Sequence, residues 1–246
     1  MRDESGIQME QPVLIFEQVT GKKRRFARNQ FVLQNITFSM EAGYIYGLMG
    51  ENGAGKTTLM NYILNETILY EGHIYIEGID IRTARAQALN HIGFVSEENP
   101  FFAHCTCREN AKLFGVFYDK YEKNTFYQMM DAMNLPADKI YGKMSRGERL
   151  KFQLAFAIAH RPSLYLLDEV TAGMDAVFRT EFFHVLQQLI AKERVCILMS
   201  SHLTAEIETR TDYVGVMEKG KLVLFGESLD IIPQVNQKCK KGEITE

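Results

Sequence analysis

The chain has no apolar run approaching the roughly 20 residues that a bilayer-spanning helix needs. Its start, Met1-Arg2-Asp3-Glu4-Ser5-Gly6, lacks the basic and then apolar pattern of a secretion signal, so a cytosolic location is expected. Charge of one sign is scarce as well. Twenty-eight Lys and Arg against 31 Asp and Glu leave a formal net charge of -3, which gives no global attraction to nucleic acid. Cysteine is limited to four residues. Cys105 and Cys107 stand beside His104, but no second Cys/His pair lies at a spacing that would complete a zinc site, and reduced thiols are expected. There is no internal repeat and no low-complexity segment. What remains is 246 residues that are 46% hydrophobic and 24% charged, enough to core one large domain or a domain with a substantial subdomain.

Against that plain background, Gly50-Glu51-Asn52-Gly53-Ala54-Gly55-Lys56-Thr57 is specific. The pattern G-x-x-x-x-G-K-[ST] turns consecutive backbone N–H groups inward around a nucleotide's phosphates. Glycines are needed where side chains would block that approach or where the backbone takes unusual angles. Lys56 is expected to reach the β- and γ-phosphates and the Thr57 hydroxyl to sit on Mg²⁺. Asn52, Gly53, Ala54, Gly55 and Thr58 complete the expected cradle. Tyr44 to Met49 reads as a buried strand feeding the loop, and Thr58 to Leu64 opens a helix whose positive end faces the phosphates.

The rest of the chain divides by character. Val13 to Phe16, Phe31-Val32-Leu33 and Ile36-Thr37-Phe38 read as strands, and Gly72 to Gly78 as another. The basic loop Lys22-Lys23-Arg24-Arg25 reads as a solvated hairpin tip or as a contact for anionic lipid or nucleotide. From about 100 to 160 the pattern is helical and rich in Phe and Met, as in an insertion between two parts of an α/β core. Strands at 164–167, 195–199 and 213–217 then alternate with helices at about 176–192 and 203–210, before a polar, frayed end.

Two further motifs carry chemistry. Met144-Ser145-Arg146-Gly147-Glu148 precedes a helical run; Ser145 and Glu148 have capping-box spacing, and the same helix end suits an anion. The apolar strand Leu164 to Leu167 closes with Asp168 and Glu169, two adjacent carboxylates that repel unless a cation or ligand compensates. Beside a phosphate loop, Asp168 suits a Mg²⁺ site and Glu169 the polarising of an attacking water.

In this order, from about residue 12 to 230, the motifs resemble the nucleotide-binding subunit of an ATP-binding cassette (ABC) transporter. The resemblance implies an α/β fold with a P-loop NTPase (RecA-like) core, an N-terminal antiparallel β region and an inserted helical subdomain. It places a single domain at 12–232, with core about 12–98 and 161–232, helical subdomain about 99–160, and a polar tail at 233–246. Gly173-Met174-Asp175 resembles the D-loop, and His202 matches the switch histidine that touches the γ-phosphate. Phe26, or else Phe31, is implied as the aromatic that stacks on adenine. Gly147 and Ser145 are kept from the usual Leu-Ser-Gly-Gly-Gln signature, while Arg146 adds positive charge and Glu148 replaces an amide. Glu97 stands where the family generally has a glutamine that contacts Mg²⁺ and the attacking water.

The family pattern implies ATP and Mg²⁺ as ligands and a head-to-tail pair of nucleotide-binding subunits, identical or different, each site using one chain's P-loop and the other's Ser145. It also implies a separate membrane-spanning permease, on whose cytoplasmic side the chain would sit. Thr171-Ala172-Gly173 points to the exporter branch. Pro100-Phe101-Phe102 reads either as the permease docking surface or as a core aromatic pair. An ABC-type ATPase acting on DNA or ribosomes is the alternative; the long coiled-coil insertion, zinc modules or duplicated cassette usual there are not seen, and no nucleic acid partner is expected. The guanine-specifying Asn-Lys-x-Asp of a GTPase is missing too.

Overall fold

The computed structural model describes residues 11–23, 31–97, 100–172, 174–201 and 204–240. In the first part of the chain, β1 (Leu14–Gly21) and β2 (Ile36–Met40) precede β3 (Ile45–Met49), α1 (Lys56–Leu64), β4 (Tyr70–Ile76), β5 (Ile79–Asp80), α2 (Arg85–Leu89) and β6 (Ile92–Ser96). A helical stretch follows: α3 (Cys107–Gly115), α4 (Lys123–Ala132), a 3₁₀ turn at Tyr141–Lys143 and α5 (Arg146–Ala159). The chain then continues through β7 (Leu164–Asp168), α6 (Ala176–Lys192), β8 (Cys196–Ser200), α7 (Thr204–Arg210), β9 (Tyr213–Glu218), β10 (Lys221–Glu227) and α8 (Ser228–Lys240).

Two sheets result. One is antiparallel with order β2-β1-β4-β5. Its β2 alternates buried and exposed residues, the pattern of a strand with one wet face. The other has order β10-β9-β3-β8-β7-β6, parallel throughout except for the β9–β10 hairpin. Its central strands β3 and β8 are buried at every position, which is why Ile45–Met49 and Cys196–Ser200 read as nearly continuous apolar runs. The core divides accordingly: Phe16, Ile36, Leu59 and Leu166 pack between the two sheets, while Leu154, Phe182, Leu186 and Ile197 pack beneath the parallel one.

The register positions the site. Ser96 lies opposite Asp168, Asp168 opposite Ser200, and Leu48 opposite Ser200. The C-terminal ends of four parallel strands therefore share one edge, the edge at which open α/β sheets bind ligands.

The helices α3 to α5 lie between β6 and β7 in sequence, with their own cluster of Cys107, Phe126, Met130, Tyr141, Phe152 and Phe156. Phe101 sits among Phe114, Tyr141, Phe152 and Phe156 at ring-centroid distances of 4.8–5.6 Å, edge-on or tilted. Partly buried, it packs against this cluster, whereas Phe102 is 47% exposed.

Three details depart from the sequence reading. Residues 31–33 are not a strand, although Leu33 is fully buried and its carbonyl accepts from Gly21 N–H at 2.9 Å. Strand β10, unanticipated, pairs with β9 by a hairpin whose turn residues Lys219 and Gly220 both have positive φ. The expected polar tail from 233 is instead helical to Lys240, because Ile231 and Val235 anchor α8 in the core despite Pro233 within it.

Candidate functional site

The loop from Gly50 to Gly55 leaves the buried strand β3 and enters α1 with positive φ at Gly50, Gly53 and Gly55. A Cβ at Gly50 would collide with the carbonyl oxygen of Met217, so this glycine serves close packing as well as backbone freedom. Asn52 and Gly53 are exposed and open space lies beside Gly53, as a cradle for a ligand requires. Lys56 folds back into the loop: Nζ donates to the carbonyls of Gly50 at 2.6 Å and Glu51 at 3.2 Å. Burial pushes its pKa down, while Glu169 and Asp168 nearby pull it back up. An incoming phosphate would replace those carbonyls with stronger, charged acceptors.

Facing the loop, Asp168 ends β7. Its Oδ1 accepts from Thr57 Oγ1 at 3.1 Å and from Ser200 Oγ at 2.6 Å. Ser200 Oγ in turn accepts from the backbone N–H of Glu169 at 2.9 Å. One serine at the end of β8 thus fixes both members of the Asp168-Glu169 pair. Glu169 has φ of 50°, a left-handed conformation costly for a side chain of this kind and held here by its surroundings. Among the described residues, no three His, Cys, Asp or Glu side chains gather as a metal cluster. Thr57 and Asp168 nevertheless offer adjacent hard oxygens, the donor set that fits Mg²⁺, an ion that takes few protein ligands and fills its shell with phosphate oxygens and waters.

Ser145 caps α5. Its hydroxyl accepts from Glu148 N–H at 3.3 Å, and the Glu148 carboxylate accepts from Ser145 N–H at 2.9 Å, closing a capping box. Lys139 binds the other Glu148 oxygen at 2.6 Å, and these partners hold the Glu148 pKa below the usual carboxylate range. Glu148 is therefore committed to the helix end. The side chain of Arg146 reaches the Glu97 carboxylate at 3.3 Å and the Glu169 carbonyl at 3.5 Å, so two residues that depart from the family pattern pair with each other. Gly147 lies near the ring of Phe178, where α5 meets α6. Asp175 caps α6, accepting from Val177 and Phe178 N–H at 3.0 and 2.9 Å.

Lys56, Thr57, Asp168, Glu169, Glu97 and Arg146 thus converge on one edge, while Asn52, Ser145 and Asp175 stand exposed around it. Phe26, His202 and Gly173 lie outside the described residues. Phe31, the other aromatic, does sit at the loop: a Cβ on Gly55 would come within 3.1 Å of its ring, and the ring is 43% exposed. Sequence reasoning missed Ser200, whose only signal was a polar residue ending an apolar strand. It also missed Gly220, whose N–H donates to the Ala54 carbonyl at 2.9 Å and braces the loop from the β9–β10 turn.

A glycine-rich loop between a buried parallel strand and a helix, faced by an aspartate ending a neighbouring strand, defines the P-loop NTPase class. Comparison with known proteins narrows it. The ABC transporter family model matches residues 33–172. The chain is 32% identical over 201 residues to the bacitracin transport ATP-binding protein BcrA of Bacillus licheniformis, covering 79% of this chain and 64% of the relative. It is 30% identical over 191 residues to the ABC transporter ATP-binding protein YtrB of Bacillus subtilis, covering 78% and 65%. It thus spans a little under two thirds of the length of these relatives. A solved ATP-binding subunit of an ABC transporter superposes with a TM-score of 0.79 at 22% identity, covering 95% of both chains, which establishes the fold. The chain belongs to the ABC transporter family.

Proposed function

We propose that this chain binds and hydrolyses ATP to drive a transporter whose membrane-spanning part is a separate polypeptide. The observation that carries this is the line Thr57–Asp168–Ser200–Glu169, which ties the phosphate loop to two strand-end carboxylates within direct hydrogen-bond reach. Loop amides and Lys56 would hold the phosphates, and Phe31 or Phe26 would cover the adenine. Thr57 and Asp168, with Glu97 nearby, would hold Mg²⁺, which when bound neutralises charge on the phosphate oxygens. Glu169 would take the proton of the attacking water, and His202 would contact the γ-phosphate.

Among the described residues no helix is long and apolar enough to cross a membrane. Like a transporter's nucleotide-binding subunit, the chain would sit at the inner membrane face beneath its permease. Phe102, Leu113, Val116 and Phe117, all exposed, are the apolar residues offered for docking on the helical layer at 99–160. Exposed Ser145 and Asp175 would face a second nucleotide-binding subunit, and closure of the pair would follow from tighter ATP binding to the closed state. Export is the inferred direction, from Thr171-Ala172-Gly173.

Titration with a fluorescent ATP analogue tests the foundation. Wild type should bind it, and Lys56→Ala should lose about 100-fold in affinity, as expected when a charged phosphate contact worth about 3 kcal/mol is removed. Equal binding by the two proteins would refute the site.

A further inference from the structure

Behind the strand edge lies a buried polar cluster that the roles above leave unused. Glu206, on α7, is 7% exposed; Thr171 and Ser201 are 0% and 3% exposed. Glu206 Oε2 accepts from Thr171 Oγ1 at 2.5 Å and from Ser201 Oγ at 3.1 Å. Its Oε1 lies 3.1 Å from Arg179 Nε, off the N–H axis, so this contact is an ion pair without an aligned hydrogen bond. Arg179, in the first turns of α6, also donates through Nη2 to the Met174 carbonyl at 3.0 Å.

The partners come from two connections that leave the catalytic edge, β7 to α6 and β8 to α7. Thr171 is two residues past Glu169, Ser201 directly precedes His202, and Met174 directly precedes Asp175. A buried carboxylate is a costly way to fill space, and an apolar side chain of similar size would pack as well. What the carboxylate adds is simultaneous hold on the two connections that leave β7 and β8. We propose that Glu206 is a positioning residue: it couples the segment leading to His202 with the segment carrying Asp175, so that the γ-phosphate side and the exposed D-loop side of the edge shift together. The proposal rests on the ATPase reading above. It adds a route by which one nucleotide site senses the second subunit.

The test uses the full chain as wild type, Glu206→Gln and Arg179→Gln. The readouts are kcat, KM and Hill coefficient for Mg²⁺-ATP hydrolysis, affinity for the fluorescent ATP analogue, and the melting temperature. Glu206→Gln keeps size and one acceptor but removes the charge. It should bind the analogue within about twofold of wild type while kcat falls about tenfold, a coupling of middling size, and the Hill coefficient drops towards one. A merely structural role would lower the melting temperature and leave kcat and cooperativity of the folded fraction alone. Folded Glu206→Gln with wild-type kcat and Hill coefficient overturns the proposal. So does a loss of kcat matched by an equal loss of affinity. If Glu206→Gln does not fold, Arg179→Gln decides by the same criteria, since it severs the pair from the more exposed side. A wild-type chain that binds no analogue and hydrolyses no ATP overturns the ATPase reading itself and this inference with it, an outcome distinct from failure of the variants alone.

Discussion

At the C-terminal edge of the parallel sheet, polar side chains hydrogen-bond to one another; in the helices between β6 and β7, the interior is largely aromatic and most charge pairs lie outside. The first region holds two hydrogen-bonded groups at neighbouring strand ends, Thr57–Asp168–Ser200 and Thr171–Glu206–Ser201. The second packs Phe101, Phe126, Phe152 and Phe156 ring against ring, and leaves pairs such as Arg161–Glu122 half exposed. Buried polar networks are directional and tolerate little displacement. Aromatic packing fills volume without aiming a reactive group. Geometry at the edge should therefore govern turnover, and packing in the helical layer should govern stability. Gln153 bridges the two: its side-chain oxygen accepts from Ser96 N–H at 3.0 Å and its amide donates to Tyr141 Oη at 3.3 Å.

The largest effect on stability is expected at the centre of the aromatic layer. Phe152 is fully buried and contacts Phe101, Phe126 and Tyr141. Phe152→Ala should cost about 3–5 kcal/mol in urea unfolding, the usual range for such a cavity. An ATP-analogue affinity unchanged in the folded fraction would confirm the division; lost affinity there would break it.

A smaller, pH-dependent effect belongs to His160, at the C-terminal end of α5. Its ring stacks on Tyr118 at 3.9 Å, and burial pushes its pKa from 6.5 down to about 3. Protonation therefore favours the unfolded chain. Stability is intact above the unfolded pKa of 6.5 and falls as pH drops from there towards 3. By pH 5 the loss attributable to this residue should be about 2 kcal/mol. Unfolding midpoints at pH 7 and 5 should therefore lie closer together in His160→Gln than in wild type. An unchanged spacing would show that the ring is protonated without penalty.

The same contrast explains what was legible in the sequence. The phosphate loop is local, so its glycines, Lys56 and Thr57 could be read directly, as could the buried strand that ends in Asp168. Helix α6 was also plain, because Asp175 caps it and its apolar positions recur with helical period. Ser200 and Glu206 were not legible as site residues. Their meaning comes from parallel pairing of β7 with β8 and from a carboxylate that reaches back 35 positions to Thr171, and neither follows from local spacing. Strand β10 and helix α8 were hidden for a related reason. Each is held by tertiary neighbours, β9 and the rings of Phe38 and Tyr46 for the first and the core around Ile231 and Val235 for the second. Phe101 and Phe102 look alike in sequence, and only packing separates a ring laid against the core from a surface one.

The most direct measurement is the comparison of wild type with Glu169→Gln in parallel binding and hydrolysis assays with Mg²⁺-ATP. The substitution keeps the shape of a side chain whose backbone N–H is held by Ser200, but removes the group assigned to accept the water's proton. The account predicts retained binding of ATP and loss of turnover by about 100-fold or more, the contribution typical of a positioned base. Hydrolysis undiminished in Glu169→Gln would contradict it.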